Sequence, residues 1–292
     1  METKSETIEV LMSRQAPKEG INPSRLPGVS FFRASQPSAR QPLCYQRGII
    51  IVGQGTKQVY LGSKTFVYDP DNYLVLSLPL PAECDTRCTP EKPMLSMFVD
   101  LDLGLIREIL NDLPETADTS PAGSKEAALT PAGVTPEFRS TAFRLVSALE
   151  SDLETRIMGR SLVRELMFRV ITGENNGALR ALVTKETRMS RVDKALKRIH
   201  GNYANPMDVE ELAALVHMSP SAFHRVFKEV TASSPIQYLK KIRLDKARGL
   251  LAEEGLRVGE AAARVGYESP NQFSREFKRY FGASPVSFIT AP

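Results

Sequence analysis

No run of apolar residues in this chain approaches the roughly 20 that a membrane-spanning helix requires. The opening Met1-Glu2-Thr3-Lys4-Ser5-Glu6 also lacks the basic-then-apolar order of a secretion signal, so a soluble cytoplasmic protein is the expectation. Cysteine is scarce: Cys44, Cys84 and Cys88 are the only three in 292 residues, too few for a disulfide framework and consistent with a reducing compartment. Histidine is as scarce. His200, His217 and His224 all fall in the last third, which excludes a histidine-built metal centre earlier in the chain. A structural zinc would need four ligands, and only Cys44 remains beside the Cys84/Cys88 pair, so no metal or other cofactor is expected. Nor is there much net charge, only +4, but the total hides an asymmetry. From Lys185 onward 18 basic residues face 12 acidic ones, whereas the preceding residues carry 20 against 22. The excess cation sits in the last third, where a polyanionic partner would have to bind.

The chain's punctuation divides it. Residues 1–26 are polar and broken by Pro17, Gly20 and Pro23, and read as a mobile arm. From Val29 to about Asp100 the pattern is that of short strands. Gly48 to Gly53 is an apolar run between glycines, Gln58 to Leu61 meets Lys64 to Tyr68 across the hairpin-sized gap Gly62-Ser63, and Tyr73 to Leu78 and Leu95 to Val99 follow. Such strands suit a sandwich or small barrel. After Leu101 the period becomes helical (Leu103, Ile106, Ile109, Leu110). Pro114 to Pro136 then reads as an exposed loop, and two amphipathic helices follow, Phe138 to about Leu153 and Gly159 to Ile171, the second ended by Gly173 and Asn175-Asn176-Gly177. Helix dominates from Met189 onward.

That last region repeats itself. Ser219-Pro220 recurs as Ser269-Pro270, and at the same offset of fifty Phe223, Arg225, Phe227, Lys228 and Ser234-Pro235 return as Phe273, Arg275, Phe277, Lys278 and Ser284-Pro285. Glu210 with Glu260 and Ala213 with Ala263 extend the register upstream, with no insertion or deletion required. Each copy reads as a helix (Val209 to Val216; Val258 to Val265), a short turn and a helix opened by Ser-Pro. Ser supplies an acceptor to the free amides there and Pro has no amide to leave unpaired. These are the parts of a helix-turn-helix, whose second helix enters the DNA major groove.

Helical spacing sorts the residues of each second helix. In the first copy Phe223, Val226, Phe227 and Val230 share one face and leave Ser221, His224, Arg225 and Lys228 on the other. In the second copy Phe273, Phe277, Tyr280 and Phe281 turn inward while Asn271, Ser274, Arg275 and Lys278 point out, with Arg279 beside them. Arg suits guanine and Asn suits adenine, while Lys or Arg further along suits phosphate. A helical solenoid with solvated faces is the competing reading, but two copies are too few for such an array.

From about Met189 to Thr290 the sequence resembles the AraC/XylS family of bacterial transcription regulators. The resemblance rests on Met218-Ser219-Pro220-Ser221-Ala222-Phe223-His224-Arg225-Val226-Phe227-Lys228, Pro235-Ile236-Gln237-Tyr238-Leu239, Val265-Gly266-Tyr267 and the long string Phe273 to Pro285. Residues 27–180 are more loosely similar to the N-terminal domain of one branch, through Leu26-Pro27-Gly28, Gly53-Gln54-Gly55, Leu61-Gly62 and Arg164 to Arg169. The resemblance implies an α+β two-domain chain, with a cupin-like β-barrel and flanking helices at 27–180. Two helix-turn-helix units joined by a rigid helix, here Ile236 to Leu251, would occupy 185–292. It further implies double-stranded DNA and RNA polymerase as partners, a small effector, a homodimer, activation by family habit, and no enzymatic activity. Two positions depart from the family pattern: Ala261 replaces a larger aliphatic residue, and Phe288-Ile289 stands where Tyr-Arg is common. On the joining helix Lys240, Lys241 and Arg243 remain for solvent or phosphate, and His217, in the turn, reads as a packing residue.

The sensor end offers two readings. A largely apolar pocket with a few polar groups would use the thiol, phenol and cation of Cys44, Tyr45 and Arg47. Alternatively Cys84 and Cys88, with Arg87 between them to lower a thiolate pKa, would join Cys44 in sensing oxidants or electrophiles. A cupin-type binding protein or enzyme with a helical appendage, or a reactive-cysteine alkyltransferase, is disfavoured by the repeated cations and by the lack of any His near a Cys in the sequence.

Overall fold

The computed structural model describes residues 6–114, 127–173 and 177–290. The chain forms two compact units. The first takes the residues up to 40, 46–78 and 84–185; the second takes 41–45, 79–83 and the residues from 186 onward.

In the first unit helix α1 (Ile8–Gln15) precedes strands β1 (Gly20–Pro23) and β2 (Val29–Ala34). The expectation of a mobile arm fails for this segment. Leu11 and Met12, one helical turn from Ile8, are fully buried with Phe31, Ile49 and Met97, so removing them would uncover core. Then come β3 (Ser38–Tyr45), β4 (Gly48–Gln54), β5 (Thr56–Leu61), β6 (Lys64–Tyr68), β7 (Asn72–Leu76), β8 (Leu80–Arg87) and β9 (Met94–Asp100), with residues 41–45 of β3 and 80–83 of β8 counted in the second unit. The expected hairpin is present, with Leu61 opposite Lys64 across Gly62-Ser63. Helix α2 (Leu103–Asp112) is capped by Asp102, whose carboxylate accepts the amides of Gly104 and Leu105 at 2.8 and 3.2 Å.

A further strand, β10 (Leu129–Gly133), lies within the stretch read as a loop; residues 115–126 of that stretch lie outside the described residues. Its Pro131 hid the strand from a pattern reading. The structure accommodates that proline because β10 is an edge strand paired only to β7. Helices α3 (Pro136–Ala148), α4 (Asp152–Thr172) and α5 (Gly177–Val183) follow. The helix that was expected to reach Leu153 stops at Ala148, because Ser151 caps a new one by accepting the Glu154 amide at 3.3 Å. Of the turn expected at Gly173 to Gly177, residues 174–176 lie outside the described residues.

The strands form two sheets, β1-β2-β9-β4-β7-β10 and β3-β8-β5-β6. One face of the larger sheet, with Phe31, Ile49, Ile51, Val75, Met97 and Val99, packs on α1, α3 and α4 residues such as Leu11, Leu145 and Leu166. The alternate residues face the other way, since side chains on a strand change sides at every step.

The second unit comprises α6 (Arg188–Asn202), α7 (Val209–Leu215), α8 (Pro220–Thr231), α9 (Pro235–Ala252), α10 (Val258–Arg264), α11 (Pro270–Phe281) and α12 (Pro285–Thr290). Among the described residues no helix is long and apolar enough to cross a membrane.

Candidate nucleic-acid interface

Helices α8 and α11 begin alike. Ser219 accepts the Ala222 amide at 3.4 Å, Ser269 accepts the Gln272 amide at 3.3 Å, and each is followed by Pro at the first helical position. They also end alike, on Ala232 and Gly282 in left-handed conformation, fifty residues apart. Phe223, Phe227, Phe273 and Phe277 are fully buried, which fixes the rotation of both helices about their axes. Ser221, His224, Arg225 and Lys228 are therefore exposed on α8, as are Asn271, Arg275, Lys278 and Arg279 on α11; Ser274 is half-buried.

Among the described residues no carboxylate pairs with Arg225, Lys228, Arg275, Lys278 or Arg279, although ion pairs occupy many other arginines, including Arg164, Arg188 and Arg191. An exposed cation without an acid partner keeps its full attraction for phosphate or a base edge.

Behind α11 the scaffold is tied by one carboxylate. Glu276 accepts from Lys240 Nζ at 2.8 Å, from Tyr267 Oη at 2.8 Å and from Gln272 Nε2 at 3.3 Å. Burial pushes its carboxyl up, but these donors together hold it below its ordinary range. Burial and this hydrogen bond push the Tyr267 phenol up. The joining helix is thus braced, and the three cations expected there for solvent or phosphate are held by the protein instead. Lys240 is held by Glu276, Lys241 donates to Ser233 Oγ at 3.2 Å, and Arg243 donates to the Tyr203 and Asn205 carbonyls at 2.7 and 2.9 Å. Desolvation lowers the pKa of both Lys241 and Arg243. Near the start of the same helix Tyr238 is buried, donates to the Pro79 carbonyl at 2.8 Å and meets His200 Nε2 at 2.8 Å.

The repeat is not free of insertion. Val209 and Val258 open equivalent helices at an offset of 49, Met218 and Tyr267 both return an amide bond to Ala213 and Ala262, and the fifty-residue register begins only after the extra Glu268. Ala213 therefore matches the buried Ala262, while Ala263 is exposed. The same shift places Leu212 opposite Ala261, so the unusual alanine is a fully buried contact inside the second copy, where Tyr267, Phe273 and Phe277 fill the space. His217 is not a packing residue. It is exposed at φ 55°, in the turn position that Gly266 fills at φ 85°. Phe288 packs on Phe277 with ring centroids 5.9 Å apart; the Ile289 side chain lies outside the described residues.

Cys44 is half-buried near Asp245, Lys246 and Arg248, whereas Arg47 donates from Nε to the Ser77 carbonyl at 2.9 Å, and Tyr45 is buried. Burial, helped by Asp245, pushes the Cys44 thiol up to about 12, the reverse of what a reactive thiolate needs. Cys84 is buried in β8 and Cys88 lies half-buried just beyond its end, about 13 Å along an extended chain from Cys84. Arg87 lies 3.8 Å from Asp85. Among the described residues no cluster of three His, Cys, Asp or Glu could hold a metal.

Comparison with known proteins agrees with this paired helix-turn-helix architecture. Residues 25–178 match the family profile of the AraC-type transcriptional regulator N-terminus, and residues 212–291 match that of a helix-turn-helix domain. The chain belongs to the AraC-type transcriptional regulators. An uncharacterized HTH-type transcriptional regulator of Haemophilus influenzae is 27% identical over 81% of this chain and 64% of its own length. RclR of Escherichia coli, an RCS-specific HTH-type transcriptional activator, is 39% identical over 27% of this chain and 28% of its own. The chain thus spans less than two thirds of these curated relatives. The crystal structure of unsaturated fatty acid bound ToxT from Vibrio cholerae superposes with a TM-score of 0.60 at 10% identity, covering 93% of this chain and 97% of that one, and shares the fold.

Proposed function

We propose that this protein is a cytoplasmic, sequence-specific DNA-binding transcription activator, with α8 and α11 each entering a major groove. The observation that carries the reading is the exposed, acid-free set Arg225/Lys228 on α8 and Arg275/Lys278 on α11, repeated at one offset above buried phenylalanines. Arg225 and Arg275, with Asn271, read base edges; His224, Ser221 and Ser274 add contacts; Lys228, Lys278 and Arg279 hold phosphates. The N-terminal β-rich domain senses a non-covalent effector, because the surroundings of Cys44 and Cys84 disfavour thiol chemistry. It also pairs two copies through α4, where Leu153 and Ile157 are 62% and 71% exposed at adjacent turns of one face. RNA polymerase is the partner of the DNA-bound form.

Selection of bound sequences from a random duplex library with the full chain tests this. A site with two elements is expected, Arg225→Ala relaxing one and Arg275→Ala the other. Enrichment of no sequence over random DNA would refute sequence-specific reading.

A further inference from the structure

The two reading helices carry matching charges except at one position. Arg225 and Arg275 are each followed four residues later by a charge on the same helical face, Glu229 on α8 and Arg279 on α11, and these two are opposite in sign. The acid within α11 does not redress the difference, because Glu276 is 13% exposed and committed to Lys240 and Tyr267. Toward a DNA backbone, then, α11 presents Arg275, Lys278 and Arg279 with no free acid. Helix α8 presents Arg225, Lys228 and a carboxylate that is 49% exposed and that phosphate would repel.

Among the described residues Glu229 has one ion-pair partner. Arg188, the first residue of α6, places Nη1 3.5 Å from Glu229 Oε2 and is itself 64% exposed. Helix stability does not call for an arginine there. Helix α6 has no acid in its first turn and begins with Arg188 and Arg191, at the end where the backbone dipole opposes positive charge. Arg191 is answered by Glu186 at 2.9 Å. The Arg188–Glu229 contact is longer and open to water on both sides, so it holds little. Lys240 and Glu276, at 2.8 Å and shielded, form a brace; Arg188 rests on an acid that it can leave. A duplex lays down one negative charge about every 1.7 Å of its axis, and a single exposed carboxylate competes poorly with that for a guanidinium.

We infer that Arg188 is a DNA contact: when α8 lies in its groove, the guanidinium passes from Glu229 to a flanking phosphate and gives the first copy the second backbone contact that Arg279 supplies in the other. Away from a fitting groove Glu229 keeps that cation and adds its own repulsion, so sequence-independent attraction is concentrated on α11. An acid placed against the wrong partner raises discrimination at some cost in affinity. The inference rests on the assignment of α8 and α11 as reading helices, and adds to it a residue of α6 that lies outside the repeat.

Titration of the full chain onto the selected duplex and onto a scrambled one, followed by fluorescence anisotropy at several salt concentrations, is the test. Arg188→Gln is expected to weaken the selected duplex about five-fold or more and to lower the salt slope by about one. Glu229→Gln is expected to tighten the scrambled duplex about three-fold. Glu229→Arg, which restores the charge of the second copy, should tighten it about ten-fold, so that the ratio between the duplexes falls. The double variant separates a contact from mere neutralisation. If Arg188 served only to mask Glu229, Arg188→Gln would have no effect in the Glu229→Gln background, whereas a phosphate contact keeps its five-fold loss and its slope change there. Disappearance of that loss, an unchanged slope in Arg188→Gln, or unaltered scrambled-duplex affinity in Glu229→Arg would each overturn the inference while leaving Arg225 and Arg275 as readers. So would a melting temperature lowered by about 4 °C or more in Arg188→Gln, which would make the pair a structural one. Failure of the unsubstituted chain to prefer the selected duplex would overturn the reading itself, and the inference with it.

Discussion

The two helix-turn-helix copies solve one problem with different residues. Their second helices share caps, buried phenylalanines and outward cations at an offset of fifty, yet their turns differ in length and in the residue that takes the left-handed position. The first copy places His217 there at φ 55°, open to solvent. The second places Gly266 at φ 85°, where an added Cβ would fall on the Ala204 carbonyl. The surfaces differ too. Glu229, within 3.5 Å of Arg188, stands in the first copy where Arg279 stands in the second, so α11 is the more cationic helix. The repeat preserved what DNA and the core require and let the turns drift, because a turn needs only a permitted backbone conformation.

The largest expected effect breaks the comparison at the turn. Gly266→Ala should destabilise the second copy by about 3 kcal/mol or more, since it combines a strained φ with a backbone clash. Thermal unfolding should show the loss, and footprints should lose the α11 element while keeping that of α8. Next, Arg225→Ala and Arg275→Ala should each cost about 1–3 kcal/mol on the selected site and relax one element, whereas Lys278→Ala should weaken all sequences alike and lower the salt slope by about one. Equal losses on selected and random DNA would reject the base-reading assignment.

A smaller effect tests the brace that only the second copy has. Glu276→Gln should cost about 1–2 kcal/mol, by weakening the charge-assisted bond to Lys240 and the bond from Tyr267. Because the folded carboxyl titrates below its ordinary 4.5, this contribution is fully present above that pH and is lost as pH falls through the lower folded value. Denaturant unfolding between pH 6 and about 3 should show wild type and Glu276→Gln converging. The smallest effect runs the other way: His217→Gly should stabilise the first copy by up to about 1 kcal/mol, as relief of left-handed strain slightly exceeds glycine's entropic cost.

The helices of the second unit were legible because each is announced locally. Ser-Pro pairs, Gly282 and the phenylalanine spacing fix the limits of α8 and α11, and the exposure of Arg225, Lys228, Arg275 and Lys278 follows from helical periodicity alone. The break at Ser151 was also present in the residues, as a cap followed by Glu154, but lay inside an unbroken apolar pattern. Strand β10 and helix α1 were hidden for another reason. Pro131 reads as a strand breaker until its edge position is known, and the polar punctuation around Leu11 and Met12 outweighed three apolar side chains.

By itself, then, the sequence determined the class of the protein, the paired reading helices, their outward cations and the absence of histidine from the β-rich domain. These depend on neighbours within a turn or two, and on a repeat that can be counted. Tertiary structure alone decided that Lys240 and Arg243 brace the scaffold, that the copies differ by one residue in the turn, and that Lys57 crosses from one sheet to the ring of Phe32 in the other. The reason is physical. Whether a charged side chain meets water, a carboxylate or an aromatic face depends on residues distant in the chain, and alternation along β5 places Lys57 on a face without revealing what stands opposite.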